Sequence, residues 1–473
     1  MGKRIEKIHG QYYKRKSKNK KVIIAAIIAL CLMGMAVAGI HMAGIPFKKN
    51  KDTTDISQKA TAKKERVTDQ TIGENKKPQA ENKDEKKIEK STDNTKIPDS
   101  ADSIKDKTDN SREKDTVNVR VSPAPDEETD MQETFKPDTD KRIPRKVKGI
   151  YVSGPMAGTA TYMDELIDLV DTTELNAMVI DIKNDNGEIT YDMDLPEAKE
   201  LNANANYIGN MEELISKLKK KDIYLIARIV AFKDPVLAKG KPELSLKKKD
   251  GSIFYDKSGL SWVNPYKKEV WEYLVSVAKE AALIGFDEIQ FDYIRFSTDS
   301  GMKEVDFGED GKNKSKIEVI TDFTKYACEN LKPLGVYVSA DVYGTIIDSK
   351  VDAEIVGQDY KEMAKYLDYI CPMIYPSHYQ NGSYGIDYPD LKPYDLILNA
   401  LNKSRTVLGE DKNKTAVVRS WLQDFTATWL NPHKIYGADE IRAQIQAVYD
   451  AGYEEWILWN GSNNYTKEGL KKE

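Results

Sequence analysis

Glu288–Phe296 reads EIQFDYIRF, in which Ile289, Phe291 and Tyr293 alternate with Gln290 and Asp292 before Arg295. Period-two alternation places the first set on one face of a strand and the polar pair on the other. Seven comparable runs surround it. Gly149–Gly154 (GIYVSG), Ala177–Lys183 (AMVIDIK) and Tyr224–Val230 (YLIARIV) precede it. Gly335–Gly344 (GVYVSADVYG), Tyr369–Pro376 (YICPMIYP), Ala416–Phe425 (AVVRSWLQDF) and Glu454–Asn460 (EEWILWN) follow. Helical faces recur between them: Met211, Leu214, Ile215 and Leu218; Val270, Trp271, Leu274, Val277, Ala278 and Ala281; Ile441, Ile445 and Val448. Near-continuous apolar strands alternating with amphipathic helices predict a parallel sheet covered by helices, and eight repeats predict an α/β fold of the (β/α)8 TIM barrel type over residues 147–465. A doubly wound open sheet fits less well, because the first turn, Ser153-Gly154-Pro155-Met156-Ala157-Gly158, lacks the GxGxxG spacing.

The rest of the chain contrasts sharply with this region. All six Trp, eight of ten Phe and 24 of 26 Tyr lie beyond residue 147, and no aromatic residue falls between Phe47 and Phe135. Residues 46–146, rich in Lys, Glu, Asp, Thr, Ser and Asn, therefore read as a disordered charged linker. As a flexible coil it would span roughly 50–60 Å. Residues 22–45 hold no Asp, Glu, Lys or Arg and follow a basic leader, residues 1–21, with nine Lys/Arg against one Glu. That pattern predicts a transmembrane signal anchor with a cytoplasmic N-terminus and an extracellular barrel. The alternative is secretion after signal cleavage near Ala38, since Ala36-Val37-Ala38 satisfies the small-x-small rule. Residues 466–473 read as a tail.

A net charge of −5 and a pI near 5.8 argue against a nucleic-acid partner. The three cysteines, Cys31, Cys328 and Cys371, form no CxxC pair, and only His378 and His433 lie in the barrel region. Neither a metal site nor an organic cofactor is expected.

In a barrel of this kind the site lies at the C-terminal strand ends. The residues there are Asp181 and Lys183 on the second strand, Arg228 on the third, Asp292 and Arg295 on the fourth, and Asp341 on the fifth. Tyr375 ends the sixth, Gln423 and Asp424 the seventh, Trp459 and Asn460 the eighth. Alternation turns Asp292 and Asp341 to the interior. A rim of carboxylates, arginines and aromatics suits carbohydrate chemistry, because sugars offer hydroxyls for hydrogen bonds and C–H faces for stacking. Cleaving a glycosidic bond needs two carboxyl groups, and Asp292 and Asp341 are the best pair. The competing reading makes Asp292 a salt-bridge partner of Arg295 or Arg228. Asn184-Asp185-Asn186-Gly187 reads as a tight turn rather than a calcium loop, Trp271 as core, and Pro265 as the first turn of the helix that follows it. His378 is either a substrate contact or a loop cap.

The set VIDIKNDNGEITY, ARIVAFKDP, FDYIRF, SADVYG, PMIYPSHY, WLQDF and LWN, in that order, resembles a bacterial family of barrel domains called "putative glycoside hydrolase". The resemblance implies a glycosidase barrel with Asp292 of FDYIRF as the nucleophile or its equivalent. Barrels of retaining α-glycosidases carry a similar Asp at the end of strand four and often a Glu on strand five, where this chain has Asp341. The strand-four motif of family-18 chitinases would put its catalytic Glu at Ile294, which speaks against their mechanism, and Ser297 stands where the family pattern has Pro. The expectation is thus a membrane-anchored glycoside hydrolase for a cell-wall or extracellular polysaccharide. Asp292 and Asp341 would be catalytic, and Asp181, Lys183, Arg228, Arg295, Tyr375, His378, Gln423 and Trp459 would bind substrate. The alternative is a non-catalytic glycan-binding barrel tethered at the cell surface.

Overall fold

The computed structural model describes residues 142–409 and 415–472. Eight strands form a closed parallel barrel: β1 (Lys148–Val152), β2 (Ala177–Lys183), β3 (Tyr224–Val230), β4 (Glu288–Asp292), β5 (Tyr337–Tyr343), β6 (Tyr369–Met373), β7 (Val417–Val418 with Ser420–Gln423) and β8 (Trp456–Trp459). Each lies beside its neighbour in chain order, and Gly149 of β1, opposite both Ala177 and Ile457, closes the ring between β2 and β8. The (β/α)8 expectation therefore holds. The outer layer contains α1 (Ala160–Asp171), α2 (Met211–Lys219), α3 (Lys268–Leu283), α4 (Lys316–Leu331), α5 (Lys350–Val356), α6 (Pro393–Leu408) and α7 (Ala438–Asp450). Every residue of the three helical faces read from the sequence is buried.

Alternation separates two cores. Ile180, Leu225, Phe291, Val338 and Leu458 face the helices, whereas Val179, Tyr224, Ile226, Tyr337, Tyr369, Cys371 and Ile457 fill the interior. At its base the interior is ionic. Arg419, fully buried in the break of β7, donates to both oxygens of Glu288 at 2.8 and 2.9 Å and to Glu455 at 2.9 Å, and it stacks 3.7 Å over Tyr369. Such a network holds together only while every charge has a partner.

The structure departs from the expectations at four places. β4 stops at Asp292, because Tyr293 adopts the left-handed conformation at φ 48°. Alternation ends there, so Tyr293 and Arg295 belong to a loop rather than a strand. For a bulky residue this conformation costs on the order of 1–3 kcal/mol, and such residues cluster at functional sites. Pro265 precedes α3 instead of opening it; its carbonyl accepts the indole N–H of Trp271, which is core as expected. Residues 142–146, assigned to the linker, are pinned to the barrel: Arg142 bonds Asp368 at 3.0 Å and Arg145 bonds Asp222 at 2.7 Å. The tail is also anchored, with Leu470 buried and the Lys471 N–H donating to Glu174. The leader, the anchor and residues 46–141 of the linker lie outside the described residues. Among the described residues no helix is long and apolar enough to cross a membrane.

Candidate active site

A cavity of about 780 Å³ opens at the C-terminal end of the barrel, lined by Asp185, Arg228, Asp292, Arg295, Asp341, Tyr375, His378, Trp421 and Trp459 among others. Its floor is built by strand register. Phe291 of β4 stands opposite Ala340 of β5, so the next residues, Asp292 and Asp341, sit side by side on strands about 4.8 Å apart. Both point inward and both are buried.

Their surroundings differ. Asp292 Oδ2 accepts from Arg228 Nε at 3.0 Å and Nη2 at 2.6 Å, and Oδ1 accepts from the Tyr293 N–H at 2.6 Å. Charge-assisted bonds of this kind are short and strong, and they fix the carboxylate in place. Among the described residues Asp341 has no cation at ion-pair distance. It accepts one hydrogen bond, from the Trp421 indole at 2.6 Å, and burial, reinforced by the charge of Asp292, pushes its carboxyl well above the usual range. Asp292 is thus ion-paired to Arg228, while burial drives its neighbour Asp341 toward the neutral acid. Changing Trp421 to Phe removes the one bond that favours the charged Asp341. The basic limb of the pH–rate profile is then expected to move to higher pH, read from kcat/KM against pH.

Arg228 carries the floor. Besides Asp292 it bonds Asp181 at 2.6 Å and Asp185 at 3.0 Å, under the rings of Tyr151 and Trp459. Burial pushes Asp185 upward, but Arg228 and Lys233 outweigh it and hold the carboxyl below its ordinary value. Asp292 thus both pairs with Arg228 and lines the cavity.

The other expected site residues divide. Arg295, Tyr375, His378 and Trp459 line the cavity. Arg295 packs against Tyr343, Tyr293 and Trp262, with its carbon 4.6–5.2 Å from the ring centres. Three residues expected to bind sugar do not line the cavity. Asp181 lies beneath it, its carboxylate filled by Tyr151 and Arg228. Lys183 is fully enclosed, paired with equally enclosed Asp234 at 2.8 Å and bonded to the Val230 carbonyl. Gln423 is consumed in bonds to Ser377, Asp390 and Phe425. Burial explains all three, since an enclosed polar group must be satisfied by protein.

The sequence reading missed Asp185, Trp421, Tyr151, Tyr293 and Tyr343. Asp185 was absorbed into the Asn-Gly turn, which does form: Asn184 Oδ1 accepts from Asn186 and Glu188, and Gly187 has φ 78°. Trp421 shares the interior parity of Gln423, so alternation along β7 was the available signal.

Among the described residues no group of three His, Cys, Asp or Glu is arranged to hold a metal ion. No curated protein matches the chain. Among solved structures it is similar to a hypothetical protein from Ruminiclostridium thermocellum ATCC 27405, at 40% identity over 41% of this chain and 97% of that one, with a TM-score of 0.38. It is similar also to the PgaB (BpsB) glycoside hydrolase domain from Bordetella bronchiseptica, at 13% identity over 69% and 99% of the two chains, with a TM-score of 0.49. The glycoside hydrolase domain of PelA from Pseudomonas aeruginosa shares 8% identity over 68% and 97%, with a TM-score of 0.39. The family model described as "Putative glycosyl hydrolase domain" matches residues 149–465, nearly the whole barrel, and the chain belongs to that family.

Proposed function

We propose that this protein is a glycoside hydrolase acting on a polysaccharide outside the cytoplasm, held at the membrane by residues 22–45. The observation that carries the catalytic reading is the pair on β4 and β5. Asp292 is ion-paired to Arg228, while Asp341, desolvated and with no ion-pair partner among the described residues, serves as the proton donor. In this reading Asp341 protonates the glycosidic oxygen as the bond to the anomeric carbon breaks. Asp292 attacks that carbon or takes a proton from the water that does. Trp459, Tyr375 and Arg295 are the groups for sugar faces and hydroxyls, since all three line the cavity. The location rests on the charge-free run of residues 22–45 behind a basic leader.

The test incubates the full chain, wild type and Asp292→Asn, with a panel of bacterial wall and capsular polysaccharides and follows oligosaccharide release by mass spectrometry. Release by the wild type alone is expected. Equal retention of both proteins on one polysaccharide, with no product from either, would replace this reading with the non-catalytic glycan-binding barrel.

A further inference from the structure

Four aromatic rings run outward from the cavity wall. Tyr375 is buried, and its ring lies 5.4 Å from that of His378; both line the cavity. Phe425, just beyond β7, lies 6.1 Å from Tyr375 and 6.3 Å from His378. Trp429 stacks on Phe425 at 6.0 Å with the planes 24° apart, and it meets His378 edge-on at 6.3 Å. Tyr375 is buried and Phe425 half-buried, whereas His378 and Trp429 are exposed, Trp429 by 64%.

An indole left this open in water has a cost with no return inside the fold. Phe425 and Trp429 carry the ring surface of the cavity wall outward to solvent. The strip is also held rigid from below. Asp390 accepts from Gln423 Nε2 at 3.3 Å and from the Lys434 N–H at 2.8 Å, and its carbonyl accepts from the Tyr436 hydroxyl at 3.2 Å. Gln423 in turn accepts from the N–H and hydroxyl of Ser377, whose oxygen lies 3.0 Å from His378 Nδ1. The loop after β6 and the loop after β7 are thereby locked to each other, and the ring surface is formed before anything binds. Enclosed Gln423 acts here as a positioning residue.

We infer that the strip from Tyr375 through His378 and Phe425 to Trp429 is a row of outer subsites for successive sugar rings of a glycan chain whose reacting unit occupies the cavity. The inference rests on the glycosidase reading and assigns the surface along which its polymeric substrate extends beyond the cavity. Continuity with the cavity wall selects this occupant. A pyranose ring presents an apolar C–H face to an aromatic ring and keeps its hydroxyls toward water, which suits a strip with one exposed side. Exposed Gln380, on the cavity rim beside His378, supplies a side-chain amide for those hydroxyls.

The experiment compares full-length wild type, Trp429→Ala and Trp429→Phe on a polysaccharide that the wild type cleaves and on the shortest fragment of it still cleaved. Affinity electrophoresis of the same proteins runs through gels containing soluble β-glucan, mannan or polymeric N-acetylglucosamine. Trp429→Ala is expected to raise KM on the polymer by about three- to tenfold with kcat unchanged, and to leave the short fragment unaffected. Trp429→Phe is expected to restore most of the loss. Cleavage of the polymer with unchanged KM in Trp429→Ala would overturn the inference and leave the glycosidase reading standing. Retardation by a polymer that depends on Trp429, without product from the wild type, would keep the strip and remove the hydrolase. Neither cleavage nor retardation would overturn both.

Discussion

Replacing Asp341 with Asn is expected to lower kcat/KM on a glycan by a factor of about 10²–10⁴, the usual contribution of a positioned general acid. Asn retains the shape and can still accept the Trp421 N–H, so the loss isolates the proton. An aryl glycoside whose leaving group departs without protonation should recover most of that loss in Asp341→Asn, but none of it in Asp292→Asn. Equal losses on both substrates in Asp341→Asn would rule out the acid role.

The same substitution makes a prediction about stability, and its sign follows from linkage. The folded-state pKa of Asp341 is raised above the unfolded value, chiefly by burial. The stability this group contributes is complete below the unfolded pKa of about 3.9 and is lost as pH rises through the folded value. Asn does not titrate. The variant should therefore melt at a higher temperature than wild type at neutral pH, by a margin that shrinks as pH falls toward about 4. Activity of the wild type should fall over the same rise in pH, as the acid loses its proton. A pH-independent difference in Tm would mean that Asp341 is not the titrating group.

The second large effect concerns Arg228. Changing it to Met leaves Asp181 and Asp292 buried without a cation and removes the closest positive charge from Asp185. Breaking a buried pair in this way costs about 3–5 kcal/mol. Chemical denaturation at pH 7 should show a loss of that order, partly recovered at pH 4, where the orphaned carboxylates can take up protons. Hydrolysis should disappear as well, because Asp292 loses the two bonds from Arg228 that hold it in place. Arg228→Lys should rescue little. A single ammonium lacks the planar fork that reaches three carboxylates from fixed directions. A stable, active Arg228→Met protein would show that the floor of the cavity is held by something else.

Much of this architecture was already determined by residue order. β2 and β3 coincide with AMVIDIK and YLIARIV, since strands buried on both faces are apolar throughout and stand out from their surroundings. Parity along QFD and SAD placed Asp292 and Asp341 inside the barrel, because side chains alternate with a period of two whatever the tertiary context. Chain order alone also put the two on neighbouring strands. What only the tertiary structure decided was which polar residues remain open to a ligand. Lys183 and Asp181 share the parity of a site residue, yet Asp234 and Arg228 enclose them, and those partners lie 51 and 47 positions away. Asp185 looked like part of a local turn until Arg228 reached it from the next strand. The turn of Tyr293 out of β4 broke a periodicity that the sequence continued to Tyr293, and the ring row ending at Trp429 joins two loops that local patterning cannot relate. Periodicity reports which face a side chain takes; whether that face meets a counter-ion, a ring or open water depends on closure of the barrel, which brings distant residues together.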